Sequence, residues 1–281
     1  MAIPHDDYVK VTDWLASGVP AILVEIASVK GSAPRDGDAA MAVAEHAMAG
    51  TIGGGQLEWI ALGEARQRLR LGEPGEDLAI PLGPEIGQCC GGRVVLRFSI
   101  IDAAIAQQLG AQAERQRAGE PHVLIFGAGH TGRALARAFE SLPCRTFLVD
   151  TRAECFESYR SRVEALHVAM PEAAVRDAPP GSAFVTMTHS HDLDFLITAE
   201  ALKRGDARYC GMIGSATKRA VFLNWLNENG YGRAIAEGLI CPIGGTAVRD
   251  KRPEVIAALT AAEILTALYV DGRRPDGASM R

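Results

Sequence analysis

Apolar positions along this chain follow two different regimes. Before residue 105, short apolar runs alternate with glycine-rich turns. Residues 21–29 (AILVEIASV) and 93–101 (RVVLRFSII) predict strands, and 39–44 predicts a further one. Residues 7–17 predict a short helix ending at Gly18. A second helix is predicted over 56–70, where Leu57, Ile60, Ala61 and Leu69 recur near helical spacing and Gly72 and Pro74 stop it. Residues 105–120 are rich in Ala, Gln, Glu and Arg, with few large apolar side chains, and predict a helical linker.

From residue 122 the pattern changes to strand and helix in alternation. Strands are predicted at 122–126, 145–150, 183–188 and 208–213, with a weaker one near 165–169. Helices are predicted at 131–142, 192–203, 217–229 and 254–270, the last with Pro253 at its first position. Such alternation implies a parallel sheet covered on both faces. The fold class is therefore α/β: an N-terminal α/β domain over 1–104, a linker over 105–120, and a Rossmann-like domain over 121–281.

Composition narrows the function classes. A length of 281 residues fits two domains, and 48% hydrophobic with 22% charged residues is ordinary for a globular protein. The net charge of −5 and the lack of a basic run give no reason to expect nucleic acid as a partner. No run of apolar residues is long enough for a membrane span, and the N-terminal residues do not read as a signal peptide. Six cysteines without a C-x-x-C spacing disfavour structural zinc and fit reduced thiols in the cytoplasm.

VLIFGAGHTG places Gly127, Gly129, His130 and Gly132 between a predicted strand and helix, the context a dinucleotide fingerprint requires. Asp150 ends the next strand, 23 residues after Gly127, where a ribose-binding acid belongs. An acid there favours a 2′-hydroxyl over a 2′-phosphate, with Arg152 as a nearby opposing signal. NAD(P) or another nucleotide is the candidate ligand; the alternative is a glycine turn that only solves a packing problem.

Three more glycine loops lie in the first domain. GSAPR offers Ser32 and Arg35 to a phosphate or a polar heterocycle edge. GTIGGG offers Thr51, Gly53, Gly54 and Gly55 at a helix start, a ready anion site. GQCCGG sets Gln88, Cys89 and Cys90 between glycines, suiting a soft metal or sulfur transfer. Buried, inert cysteines are the plain alternative. THSHDLD puts His189 and His191 at the carboxyl edge of the second sheet, where they could bind metal with Asp192 or Asp194, or simply flank a helix cap at Ser190 or Asp192. Lys218 and Arg219 follow a further strand and could face an anion or solvent.

Taken in order, GSAPR, TIGGGQLE, GQCCGG with Arg93, VLIFGAGHTGRALA, THSHDLD, GMIGSATKR, PIGG and KRPEVIAA resemble the XdhC/CoxI family of xanthine dehydrogenase accessory proteins. The acidic residues Asp36 and Asp38 after GSAPR depart from that family's pattern. The resemblance implies a dimeric, non-enzymatic chaperone. It would bind molybdenum cofactor (molybdopterin, in mono- or dinucleotide form), protect it while a cysteine desulfurase sulfurates it, and pass it to a xanthine dehydrogenase-type molybdoenzyme. It also implies that Cys89 or Cys90 contacts the molybdenum or its sulfur, with the cofactor expected between the two domains. The competing expectations are an NAD(P)-dependent oxidoreductase and a scaffold that joins desulfurase and dehydrogenase without carrying cofactor.

Overall fold

The computed structural model describes residues 3–31, 39–83 and 92–270. The chain divides into two compact units, Met1–Gly119 and Glu120–Arg281.

The first unit runs α1 (His5–Ala16), β1 (Ile22–Lys30), β2 (Ala40–Val43), β3 (Met48–Gly50), α2 (Gly55–Leu71), β4 (Leu78–Leu82), β5 (Gly92–Ile100) and α3 (Ala103–Ala118). Its five strands form one antiparallel sheet, ordered β3-β2-β1-β5-β4. Side chains alternate across a strand, so each strand feeds two layers. Ile22, Val24, Met41, Val43 and Leu96 pack with Leu57 and Ala61 of α2. Leu23, Ala40 and Ala42 on the other face pack with Val11 of α1 and Leu109 of α3.

The helix expected as a linker is thus a packed layer of this unit. Asp102 caps it by accepting from the Ile105 N–H at 2.8 Å, and Leu109 and Ala113, one turn apart, are buried. Strands β3 and β4 are absent from the sequence prediction. One is three residues long, and the other carries Pro81, which an edge strand tolerates because it need not donate on its open side.

The second unit runs β6 (His122–Phe126), α4 (His130–Phe139), β7 (Arg145–Asp150), β8 (Glu164–His167), α5 (Pro171–Asp177), β9 (Ala183–Thr186), α6 (His191–Arg204), β10 (Tyr209–Met212), α7 (Ala216–Glu228), β11 (Leu239–Ile240) and α8 (Pro253–Tyr269). The six strands are parallel, ordered β8-β7-β6-β9-β10-β11. The order reverses between β6 and β9, the switch point where doubly wound sheets open a crevice. Val123, Ile125 and Leu148 pack against Leu135 of α4 and Ile264 of α8. Leu124, Phe126 and Phe184 pack against Phe195 of α6 and Phe222 of α7. Both faces are covered, as the continuous apolar runs predict. Among the described residues no helix is long and apolar enough to cross a membrane.

Candidate functional site

Strand direction brings the strand ends that flank the glycine loops of the first unit to one end of the sheet. Lys30 at the end of β1 pairs with Arg93 at the start of β5, and Leu82 at the end of β4 pairs with Gly92. Gly50 at the end of β3 pairs with Met41 near the start of β2. In an antiparallel sheet these are all the same end. The chain therefore leaves toward Ser32, leaves toward Thr51, and returns toward Gly92 along one stepped edge. Ser32, Arg35, Gln88, Cys89 and Cys90 lie outside the described residues.

The TIGGG turn at that edge already holds a carboxylate. Glu58, in the first turn of α2, reaches back to the loop. Its Oε2 accepts from the Thr51 hydroxyl at 2.5 Å, the Ile52 N–H at 3.1 Å and the Gly54 N–H at 3.2 Å. The Thr51 hydroxyl oxygen in turn accepts from the Gly53 N–H at 3.1 Å. Gly53, Gly54 and Gly55 all take positive φ, which lets the turn fold around the carboxylate. Several donors that the sequence assigns to an external anion are thus bonded within the loop. An acid in the early turns of a helix that follows a glycine run is the sequence signal for such a contact.

At the switch point of the second unit the three fingerprint glycines differ in purpose. Gly127 has φ +114°, and a Cβ there would lie 2.2 Å from the Met187 carbonyl oxygen. A Cβ on Gly132 would lie 1.8 Å from the Gly127 carbonyl oxygen. Packing alone demands both. Gly129 has an ordinary φ of −74° and a Cβ there would meet nothing within 4 Å. It is exposed, and so is His130 beside it at the start of α4. The fold does not need a glycine at 129, whereas a ligand approaching the backbone would.

The loop is fastened on both sides. The Gly127 N–H donates to the Val149 carbonyl at 2.8 Å, and Arg133 holds the carbonyls of Ala128 and Cys155. The Ala128 N–H donates to Asp150 Oδ2 at 2.7 Å. Asp150 is buried and also accepts from Arg152: backbone N–H and Nε to Oδ1, and Nη2 to Oδ2, each at 3.0 Å. Burial pushes this carboxyl up, but the Arg152 and Ala128 hydrogen bonds outweigh it and hold it below the usual carboxylate range.

A small cleft beside this loop, with room for about one water molecule, is lined by Asp150, Thr151, Pro171, Thr188, His189 and Leu193, among others. His189 and His191 are both exposed, and His191 stacks along Phe195. Asp194 turns inward instead of toward them: it accepts from the Thr188 N–H at 2.7 Å and pairs with the largely buried Lys218. Ser190 caps α6, and Ser215 caps α7. Among the described residues no group of three or more His, Cys, Asp or Glu is placed to hold a metal ion. The ion pair ties the β9 tip, α6 and α7 together, a role for Lys218 that its position in the sequence does not reveal.

Burial raises the pKa of each described cysteine: Cys144 to about 11, Cys210 to about 12, and Cys155 and Cys241 by smaller amounts. None of these four is an activated thiolate.

An antiparallel unit followed by a doubly wound unit with a dinucleotide-type turn defines a two-unit α/β protein. Residues 14–79 match the model of the XdhC and CoxI family, and residues 123–264 match that of the XdhC Rossmann domain. The chain belongs to the XdhC and CoxI family. It is 26% identical over 269 residues to the uncharacterized protein YqeB of Escherichia coli strain K12, covering 93% of this chain and 46% of that protein. The chain thus spans about half the length of this curated relative. A crystal structure described as a xanthine dehydrogenase from Bacillus halodurans superposes with a TM-score of 0.74 at 18% identity, covering 98% of each chain. At that identity the likeness speaks for the fold alone.

Proposed function

We propose that this protein is an accessory factor for a xanthine dehydrogenase-type molybdoenzyme, one that carries molybdenum cofactor and is not itself an enzyme. The observation that carries the reading is that the strand ends Lys30, Leu82 and Gly92 share one end of the sheet, with Gly50 stepped back to the level of Val24, in a chain of the XdhC and CoxI family. Glycine backbone at such an end can approach a flat heterocycle closely. The Glu58 carboxylate makes the TIGGG turn an acceptor, better suited to the N–H edge of a pterin than to a phosphate. The family resemblance implies Cys89 or Cys90 as the thiol that meets the soft metal or its sulfur. The bound cofactor itself supplies the redox chemistry; this chain would orient it and exclude water and oxidants.

In the same reading the second unit offers a nucleotide-phosphate site at Gly129 and the start of α4. The chain works in the cytoplasm as a homodimer, meeting a cysteine desulfurase and the client enzyme in turn.

The test is retention. Protein mixed with released cofactor under anaerobic conditions is gel-filtered, and molybdenum and pterin are measured per chain. Near-stoichiometric retention, lost in Cys89→Ala or Cys90→Ala, is the expected result. No retention by folded protein would remove cofactor carriage from the reading.

A further inference from the structure

A nucleotide with a free adenosine ribose does not fit the tip of β7. A carboxylate offers about four lone-pair positions. Asp150 has four donors on it: the Ala128 N–H, and the backbone N–H, Nε and Nη2 of Arg152. A ribose 2′-hydroxyl could bond Asp150 only by displacing one of them. Displacing Ala128 would orphan a buried backbone N–H, and displacing Arg152 would break a two-pronged ion pair on a buried acid. The residue the sequence assigns to the ribose is a structural acceptor for the glycine loop.

We propose that the site instead takes an adenine nucleotide phosphorylated on its 2′ oxygen, an NADP-class ligand, and that Arg152 selects it. This rests on the nucleotide reading of the second unit given above. Arg152 directs only part of its five-donor fork at Asp150, and its side chain is about a third exposed. Its remaining N–H groups are left for a ligand at the tip of β7, the position of the ribose in a doubly wound fold. Asp150 fixes the guanidinium plane in advance, so little side-chain freedom is left to lose on binding. Glu154, close in sequence, is an exposed acid whose charge water screens. The cationic neighbour Arg133 places Nε and Nη2 on the Ala128 and Cys155 carbonyls.

The experiment is calorimetric titration of the full chain with adenosine 2′,5′-bisphosphate and with 5′-AMP, repeated with NADPH and NADH. The 2′-phosphorylated member of each pair should bind about tenfold tighter or more, as one charge-assisted contact allows. In Arg152→Gln the preference should fall to about twofold or less. Arg152→Lys, which keeps the charge without the fork, should retain part of it. Thermal unfolding of each variant separates loss of selection from loss of fold. Equal binding of both ligands by the native chain would overturn the Arg152 assignment and leave a nucleotide site standing. Binding of neither would overturn both. Molybdenum retention by the first unit is read in a different assay and is touched by neither result.

Discussion

Each unit of this chain answers a glycine-rich turn with a carboxylate of its own, but from different distances. Glu58 follows the TIGGG turn by a few residues, on the helix that the turn begins, and is half-buried. Asp150 comes from the neighbouring strand, is buried, and has its charge balanced by Arg152. The first contact closes a local loop and costs little chain entropy to form. The second joins two strands of the sheet and is part of the tertiary structure. A local carboxylate can yield to a ligand, whereas a buried, paired one must be built around.

The largest effect should come from the glycines that separate packing from binding. Gly132→Ala drives a methyl into the Gly127 carbonyl, and by comparison with overpacked cores should cost about 3 kcal/mol. Gly129→Ala meets open space and should cost less than about 1 kcal/mol, the usual penalty for alanine at a helix N-cap. Urea unfolding followed through Trp225, in the second unit, checks both. Equal costs would mean that Gly129 is a packing residue after all.

Next in size is Asp150→Asn, which leaves Arg152 without its counter-charge and offers one acceptor in place of two. A loss of about 2 kcal/mol is expected at neutral pH. Because the folded carboxyl titrates below its unfolded value of about 3.9, its contribution is intact above that pH and fades as the pH falls through the folded value. The gap between native and Asp150→Asn urea midpoints should therefore narrow below about pH 4. A gap that widens with acid would contradict the pairing.

Smallest should be Glu58→Gln, which keeps one acceptor oxygen but loses charge assistance for Ile52 and Gly54. About 1 kcal/mol is expected, read as a small shift in thermal unfolding. A loss as large as that of Asp150→Asn would erase the distinction between the two loops.

The second unit was largely legible because its strands are buried on both faces. Runs such as 183–186 and 209–212 read as apolar blocks between helices, and the fingerprint turn follows from local rules. The first unit was harder. β3 is too short to show a period, and the apolar content of α3 lies in a sparse Leu109–Ala113 stripe that only packing against α1 and the sheet makes visible. Site residues followed the same divide. Gly127 and Gly132 are legible as glycines, and Gly132 closes on Gly127 within the same motif, but the Met187 carbonyl that presses on Gly127 lies far along the chain. Asp150 was legible as an acid at the right place, yet its saturation depends on Arg152 folding back on it. Glu58 lies within TIGGGQLE, but its reach back to the turn is a matter of geometry that the motif does not reveal.

The fastening of the second glycine turn also bears on how fast and at what entropic cost it can respond. Gly127 is bonded to β7 and pressed on the link after β9, and Ala128 is bonded to Asp150. Amide hydrogens at 127 and 128 should therefore exchange with solvent only when this part of the sheet opens, while those at 129 and 130 exchange from the closed state. A turn so held has little motion left to surrender when a ligand arrives. Binding there should draw its selectivity from side chains already in position.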